Sequence, residues 1–255
     1  MLQPNQILSR ACLRPLSGRD EEWLARHRDS PSAIRVTWLL NQCLLGLDGA
    51  PVSGELVQRM LVGDREFLMM QLRRITLGDG VQAVVNCPGC GNKMDVDFRL
   101  DEIPVQERPQ TEGIFTLDLS GRTVRFRLPN GGDQESVANL ENAAEELLDR
   151  CVVDDGGQKL SSRDREELVV EMEQLAPQID VELDLTCPEC SHEFELPFDI
   201  TAFFFDEVAV KADELLHEVH ALAFHYHWSE SEILSLERRR RRAYLALLHE
   251  ALRQD

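Results

Sequence analysis

The sequence predicts an α+β chain with a helical N-terminal part, a central set of β-hairpins forming a four-cysteine, zinc-ribbon-like region, and a helical C-terminal module. Three observations carry this expectation. Apolar residues recur at helical spacing over 63–78 and again from 211 onward. The stretches after each Cys-Pro-x-Cys alternate apolar and mostly polar residues, the period of a half-buried strand. Those two stretches also look like one unit written twice: Cys87 and Cys90 align with Cys187 and Cys190, and Met94, Val96, Phe98 and Leu100 align without a gap with Phe194, Leu196, Phe198 and Ile200. The chain accordingly divides into 1–78 (helical), 79–205 (paired hairpins with inserted helices) and 206–255 (helical tail).

Taken in order, the chain opens on a short apolar stretch, Ile7-Leu8, and a turn at 13–20 that leads into a helix containing Glu21, Glu22 and Trp23. Acidic residues in a first turn suit the positive end of the helix dipole. Ser30-Pro31-Ser32 starts a second helix, expected over 33–46, with Ile34, Trp38, Cys43 and Leu45 making it apolar over most of its circumference and therefore buried. A short helix is expected over 55–61. A clearer one opens at Gly63-Asp64-Arg65-Glu66-Phe67, with Leu68, Leu72 and Ile75 on one stripe and Gly78 as its stop.

Beyond the first cysteine hairpin comes a polar linker to about 113. Phe115, Leu117 and Leu119 then alternate with polar residues, Ser120-Gly121 turns, and Val124, Phe126 and Leu128 return. Asp133 is the expected cap of a helix reaching Arg150, and Asp154-Asp155-Gly156-Gly157 reads as flexible before an acidic helix over 162–175. Val181, Leu183 and Leu185 alternate with acidic residues ahead of the second cysteine pair. Three consecutive phenylalanines, Phe203 to Phe205, cannot all face one core from one regular element. Presentation of one of them to a partner and a plug at the junction of hairpin and tail both stay open. In the tail, Leu215, Val219, Leu222 and Tyr226 form a stripe, Ser229 caps a new helix with Glu232 three positions on, and a last helix is expected over 236–252.

The cysteines carry the chemistry. A Cys-x-x-Cys at a hairpin tip aims two thiolates at one point, and two facing tips supply the four sulfurs of a closed tetrahedral zinc site. Cys87, Cys90, Cys187 and Cys190 are therefore the expected ligands of one structural zinc ion. Four sulfurs leave no open position for catalysis. The competing reading is a cytoplasmic thiol oxidoreductase, since Cys-Pro-Gly-Cys resembles a redox motif. That motif opens a helix whose dipole lowers the thiol pKa, whereas here a strand comes next. Cys12, Cys43 and Cys151 sit singly beside apolar residues and read as small core residues. No signal peptide and no apolar run of membrane-span length is visible, so no membrane partner and a reducing, cytoplasmic setting, or a place in an assembled particle, are expected.

A formal net charge of −19 argues against nucleic acid, which needs a basic face to displace counterions. A zinc-ribbon module of a regulatory or nucleic-acid assembly remains the other alternative. Arg238 to Arg242 spread around more than one helical turn and cannot form a single stripe; pairing with the chain's own Glu and Asp or with an acidic neighbour subunit is expected. His217-Glu218-Val219-His220 falls one residue short of the zinc-protease spacing. His220, His225 and His227 lack a companion carboxylate or cysteine at ligand spacing. With no phosphate-cradling Gly loop and no pair of general acid and base, nothing argues for an enzyme.

The block LVGDREFLMMQLRRITLGDGVQAVVNCPGCGNKMDVDF, with FRLPNGGDQE and the second CPEC after it, resembles the T4-type phage baseplate hub assembly proteins of contractile phages and related injection systems. The end, LLHEVHALAFHYHWSESEILSLERRRRRAYLALL, is similar to a small helical module that accompanies contractile-tail proteins. The resemblance spans most of 55–250 and leaves the first 50 residues unmatched. It implies a subunit or chaperone of the baseplate hub, with other baseplate, hub or tail-assembly proteins as partners and no catalytic residues.

Overall fold

The computed structural model describes residues 10–105, 113–176, 179 and 182–253. Ile7-Leu8 and Val181 lie outside them. In chain order, β1 (Ala11–Leu13) precedes α1 (Gly18–Arg26), where the Ser17 N–H and hydroxyl both donate to Asp20. α2 (Ser32–Cys43) runs into β2 (Leu44–Leu47), and Ser53 caps α3 (Gly54–Arg59) by accepting from the Leu56 N–H. α4 (Val62–Leu77) stops at Gly78, whose φ of 97° suits a residue without a side chain. β3 (Gly80–Asn86) and β4 (Lys93–Arg99) form the first cysteine hairpin. β5 (Phe115–Leu119) and β6 (Arg122–Phe126) come next, then α5 (Gly131–Val137), α6 (Ala143–Cys151) and β7 (Val152–Asp154). α7 (Ser162–Leu175) leads to the second cysteine hairpin, β8 (Glu182–Thr186) and β9 (Glu193–Pro197). The chain closes with α8 (Ile200–Val210), α9 (Ala212–Tyr226), α10 (Glu230–Leu234) and α11 (Arg238–Leu252). The chain is thus α+β, as its patterning predicts.

It falls into two compact units: residues 1–12, 31–68 and 104–180 make the first, and 13–30, 69–103 and 181–255 the second. In the first, β6 is the central strand of the antiparallel sheet β5-β6-β7. The sheet buries Leu119, Val124 and Phe126 against Leu148 of α6 and Leu168 of α7. The other half of this unit gathers α2, α3, α5 and the start of α4 around the buried guanidinium of Arg65, whose Nη2 donates to the Ala33 carbonyl and to Thr37, 2.8 Å each. Thr37 in turn donates to Glu135.

The second unit is built likewise around Arg241. It is fully buried, with Nε on Glu218 of α9 at 2.8 Å, Nη2 on Glu21 of α1 at 2.9 Å and Nη1 on the Leu236 carbonyl at 2.8 Å. A third buried guanidinium, Arg73, meets Glu207 of α8 through Nε and Nη2 at 3.0 and 2.9 Å and the Gly78 carbonyl through Nη1. Such acceptors offset the cost of removing a guanidinium from water.

One local device recurs in both units. Asn130 bridges Leu61, the Gly131 N–H donates to the Met60 carbonyl at 3.0 Å, and Arg127 holds Asp133; correspondingly, Ser17 bridges Glu237, the Gly18 N–H donates to the Leu236 carbonyl at 3.2 Å, and Arg14 holds Asp20. Arg65 and Arg241 are each the fourth residue of their helices. The glycines let those guanidinia approach. A β-carbon at Gly131 would overlap the Arg65 guanidinium, and one at Gly18 would lie 3.1 Å from Nη1 of Arg241.

Several local expectations need correction. The second helix ends at Cys43, because Leu44–Leu47 pairs with β1, and Ile34 and Leu45 are exposed rather than buried. Ile75 is exposed too. The helix expected from Asp133 to Arg150 is two helices, broken before Ala143, and its cap is Asn130; Asp133 stands at the third position of the capping box. Asp154, the first residue of the stretch read as flexible, is the last of a strand, Val152–Asp154. The helix expected from 236 starts at Arg238, after the short α10. Phe204 and Phe205 are buried in α8, and Phe203 packs on Phe198 at 5.0 Å, so the run plugs the junction between hairpin and tail.

Gly131→Ala is expected to destabilise the protein by about 2–3 kcal/mol through overpacking against Arg65, with Gly132→Ala costing much less; urea denaturation reads both. Acid provides a second check. Burial alone would raise the Asp133 pKa, but Arg127, the Asn130 N–H and Arg150 hold it below its ordinary value, and Asp20 is held down in the same way by Arg14 and Ser17. Depressed carboxylates contribute fully above their unfolded pKa of about 3.9 and lose that contribution as pH falls through the lower folded values. The urea midpoint should hold steady above about pH 5 and drop below about pH 4, with a shallower drop in Asp133→Asn.

Candidate metal centre

The sulfurs of Cys87, Cys90, Cys187 and Cys190 all lie within 4.8 Å of one another. Across the two hairpins, Cys87 lies 3.7 Å from Cys190 and Cys90 3.7 Å from Cys187. A tetrahedron with metal–sulfur arms of about 2.3 Å has edges of about 3.8 Å. The cluster therefore fits a four-thiolate ion such as zinc.

Each pair sits on the same kind of turn. The Cys87 N–H donates to the Asn92 carbonyl at 2.9 Å and the Gly91 N–H to the Cys87 carbonyl at 2.8 Å; the Cys187 N–H donates to His192 and the Ser191 N–H to Cys187, both 2.9 Å. This turn drives Gly91 to a φ of 75° and Ser191 to 58°. Glycine takes up that conformation without strain and serine less readily. The first cysteine of each pair is buried and the second exposed.

The hairpins meet through matching residues. Phe98 and Phe198, aligned in the repeat, pack edge to face with ring centroids 5.0 Å apart. At the tips, Gly89 leaves room for the His192 ring, whose Cγ would lie 2.9 Å from a β-carbon at that position. The repeat extends beyond the hairpins: Asp64-Arg65-Glu66 opens the helix before the first and Asp164-Arg165-Glu166 the helix before the second.

The electrostatics of the sulfurs are divided. Burial raises Cys87, but the backbone N–H groups of Cys90 and Gly89 and the thiols of Cys187 and Cys190 more than offset it, bringing its pKa down to about 6. Cys190 receives the His192 N–H, yet burial and its three sulfur neighbours push it up to about 12. The first proton leaves readily, because the remaining thiols and amides stabilise one negative charge. Later ones must form beside existing charge, so a full tetrathiolate needs a cation at its centre.

The other expected residues lie elsewhere. Cys43 and Cys151 are buried, the latter pushed up to about 11 by burial, whereas Cys12 is exposed and is not a core residue. Among the described residues no histidine joins the cluster. His220 and His225 lie against Phe224, with ring centroids 6.2 and 5.0 Å away. Glu218, in the near-miss protease spacing, is a partner of Arg241. Pairing within the arginine run follows expectation: Arg238 and Arg242 as well as Arg241 find Glu214, Glu218 or Glu21. The buried roles of Arg65, Arg73 and Arg241 are not visible in patterning. For Arg65 and Arg241 a sequence trace is the repeated cap, Gly, any residue, Asp at Ser17-Gly18-Arg19-Asp20 and Asn130-Gly131-Gly132-Asp133.

Fold and site together define a class: an α+β protein in which a helix and a cysteine hairpin occur twice and the two tips converge on one thiol cluster. A family model described as T4 bacteriophage base plate protein matches residues 12–136 and again 114–239, and the chain belongs to that family. Its role is accordingly structural or in assembly within a phage baseplate, in the company of other baseplate proteins. No curated protein and no solved structure gives a significant match. Among the described residues no helix is long and apolar enough to cross a membrane.

Gly89→Ala is expected to push the His192 ring away and pry the tips apart; in protein loaded with zinc this should speed metal release to a chelator by about tenfold, an effect of roughly 1.4 kcal/mol. Glu189→Ala, at the aligned position of the other tip, is the matched control and should release at the wild-type rate; zinc-indicator absorbance tracks both.

Proposed function

We propose that the protein is a non-catalytic subunit or chaperone of the baseplate hub of a contractile phage tail or phage-tail-like injection system. In this reading Cys87, Cys90, Cys187 and Cys190 hold one structural zinc ion, and the helices of 206–255 offer docking surface to other assembly proteins. The observation that carries it is the convergence of four sulfurs from two hairpins at tetrahedral spacing. A bound zinc ion supplies charge neutralisation and a cross-link. The chain supplies the rest: amides directed at the sulfurs, turns that fix the thiols, and Phe98 against Phe198 behind them.

The low pKa of Cys87 favours the thiol oxidoreductase as a second reading. Two features speak for the structural one. The turn after Cys90 leads into β4 rather than a helix, so no helix dipole selects one thiolate, and Cys87 shares its surroundings with three sulfurs rather than one.

Native mass spectrometry of protein purified under reducing conditions should find one zinc per chain. Cys190→Ser should lose it, and chelation should lower stability by several kcal/mol, since structural zinc is worth on the order of 10 kcal/mol in small sites. Metal-free protein with unaltered stability, or turnover of a disulfide substrate that Cys87→Ser abolishes, would reverse the assignment.

A further inference from the structure

Within the second unit, the end of α4, the start of β3, α8 and the first turns of α11 line a cleft of about 840 Å³. Its charge is opposite to that of the chain. The lining includes six cationic side chains and two acidic ones, in a protein whose net charge is −19. Arg73 is matched by Glu207, and Arg74 by Asp79. Arg238 and Arg242 share Glu214, at 3.9 and 3.5 Å, and Lys211 and Arg239 have no ion pair among the described residues. Burial, together with repulsion from Arg238 and Arg242, lowers the Lys211 pKa, as expected where cations are crowded in excess.

Arg238 makes the cleft more than a charged patch. Its residue is only 4% exposed, yet Nε and Nη1 have no hydrogen-bond partner among the described residues, and Nη2 comes no closer than 3.8 Å to Glu21 and 3.9 Å to Glu214. Arg241, one helical turn further on, is by contrast saturated by three acceptors. Unused donors on a buried guanidinium are costly, and an incoming carboxylate would satisfy them.

The rim is apolar as well as basic. Val210 is 80% exposed and Ile75 47%, and both line the cleft. A free phosphate has no use for such a surface. Duplex or single-stranded nucleic acid would meet the long-range repulsion of an acidic chain. A protein segment carrying carboxylates beside apolar side chains matches both features.

We propose that this cleft docks an acidic, partly apolar segment of a partner protein, with carboxylates meeting Arg238, Arg239, Lys211 and Arg242 and apolar side chains covering Val210 and Ile75. The inference rests on the proposed assembly role only in that other proteins bind this chain; absence of zinc would leave it intact.

The test uses the full-length protein and a fluorescein-labelled synthetic peptide of alternating Glu and Leu, monitored by anisotropy. Its Gln-for-Glu counterpart and an oligothymidine serve as competing probes. Paired Lys211→Glu and Arg239→Glu substitutions should weaken the acidic peptide by at least about tenfold, as should the Gln replacement or raised salt. Arg240→Glu changes the charge at an exposed neighbour outside the cleft and should move affinity by less than about twofold. Thermal unfolding and zinc content report the fold of each variant, and Arg239→Ala, at an exposed side chain, carries the test if the double variant unfolds. Equal binding of the acidic peptide by the double variant, or of the neutral peptide by the wild type, overturns the proposal. So does cleft-dependent binding of oligothymidine as tight as that of the peptide, or a dimer of the chain that the same substitutions abolish.

Discussion

A guanidinium withdrawn from water must find its acceptors on other elements, and this requirement organises both units. Arg65 gathers Ala33 and Thr37 of α2 and, through Thr37, Glu135 of α5. Arg241 joins α1, α9 and α11 through Glu21 and Glu218, and Arg73 holds α8 through Glu207. Apolar contacts tolerate sliding, because dispersion and burial are non-directional. A planar group with fixed donor directions tolerates far less, so each buried arginine selects one arrangement of short helices that leucines alone would leave degenerate. The three are not equivalent. Arg73 and Arg241 are saturated, whereas Nε and Nη1 of Arg65 lack hydrogen-bond partners among the described residues, Nη1 coming no closer than 4.0 Å to Glu135, and burial lowers its pKa against the pull of that carboxylate.

The cysteine hairpins are held differently. No residue of β8 or β9 is buried, and Val81 and Val96 are the buried residues of β3 and β4. Two-stranded hairpins with so little apolar cover are marginal in water. Phe98 against Phe198 joins them behind the tips, and the sulfur cluster, with the His192 ring beside Gly89, joins the tips. Hydrophobic patterning creates the strands; thiol chemistry keeps them together.

This difference explains what was legible in the sequence. Cys87, Cys90, Cys187 and Cys190 could be read as one group because ligand chemistry restricts residue type and spacing, and the ungapped repeat around them marks both hairpins. The acidic helix α7 and the Ser229 cap were legible for a similar reason, since periodicity and capping are local. Burial is not local. Ile34 and Leu45 have the character of core residues but lie at the surface among the described residues. Sequence alone does not separate Asn130 from Asp133 as the cap, because both residue types cap helices and a capping box puts one at each end of the same three-residue step. Arg65, Arg73 and Arg241 were the hardest to place. Arginine in an acidic chain reads as a surface residue, and only the arrival of distant acceptors makes it an interior one.

Valence gives the duplication its physical sense. One hairpin offers two sulfurs, half of a closed tetrahedral shell, and two thiolates alone hold zinc poorly against water and competing thiols. A second copy within the same chain completes the shell without a second molecule, at a local concentration that does not depend on how much protein is present. The copies can then diverge wherever the shared sulfur cluster does not constrain them. Gly89 stays small beneath the His192 ring while its counterpart is Glu189, and Gly91 relaxes a turn that Ser191 makes with some strain. The segments just beyond the hairpins diverge most: a short turn at Leu100–Glu102 after the first copy, and after the second the helix α8 that carries Phe204, Glu207 and Val210. The part that must match is therefore confined to the tips and the strands behind them. The chain beyond each copy is free to acquire separate work, the first leaving its hairpin at a short turn and the second building one wall of the basic cleft.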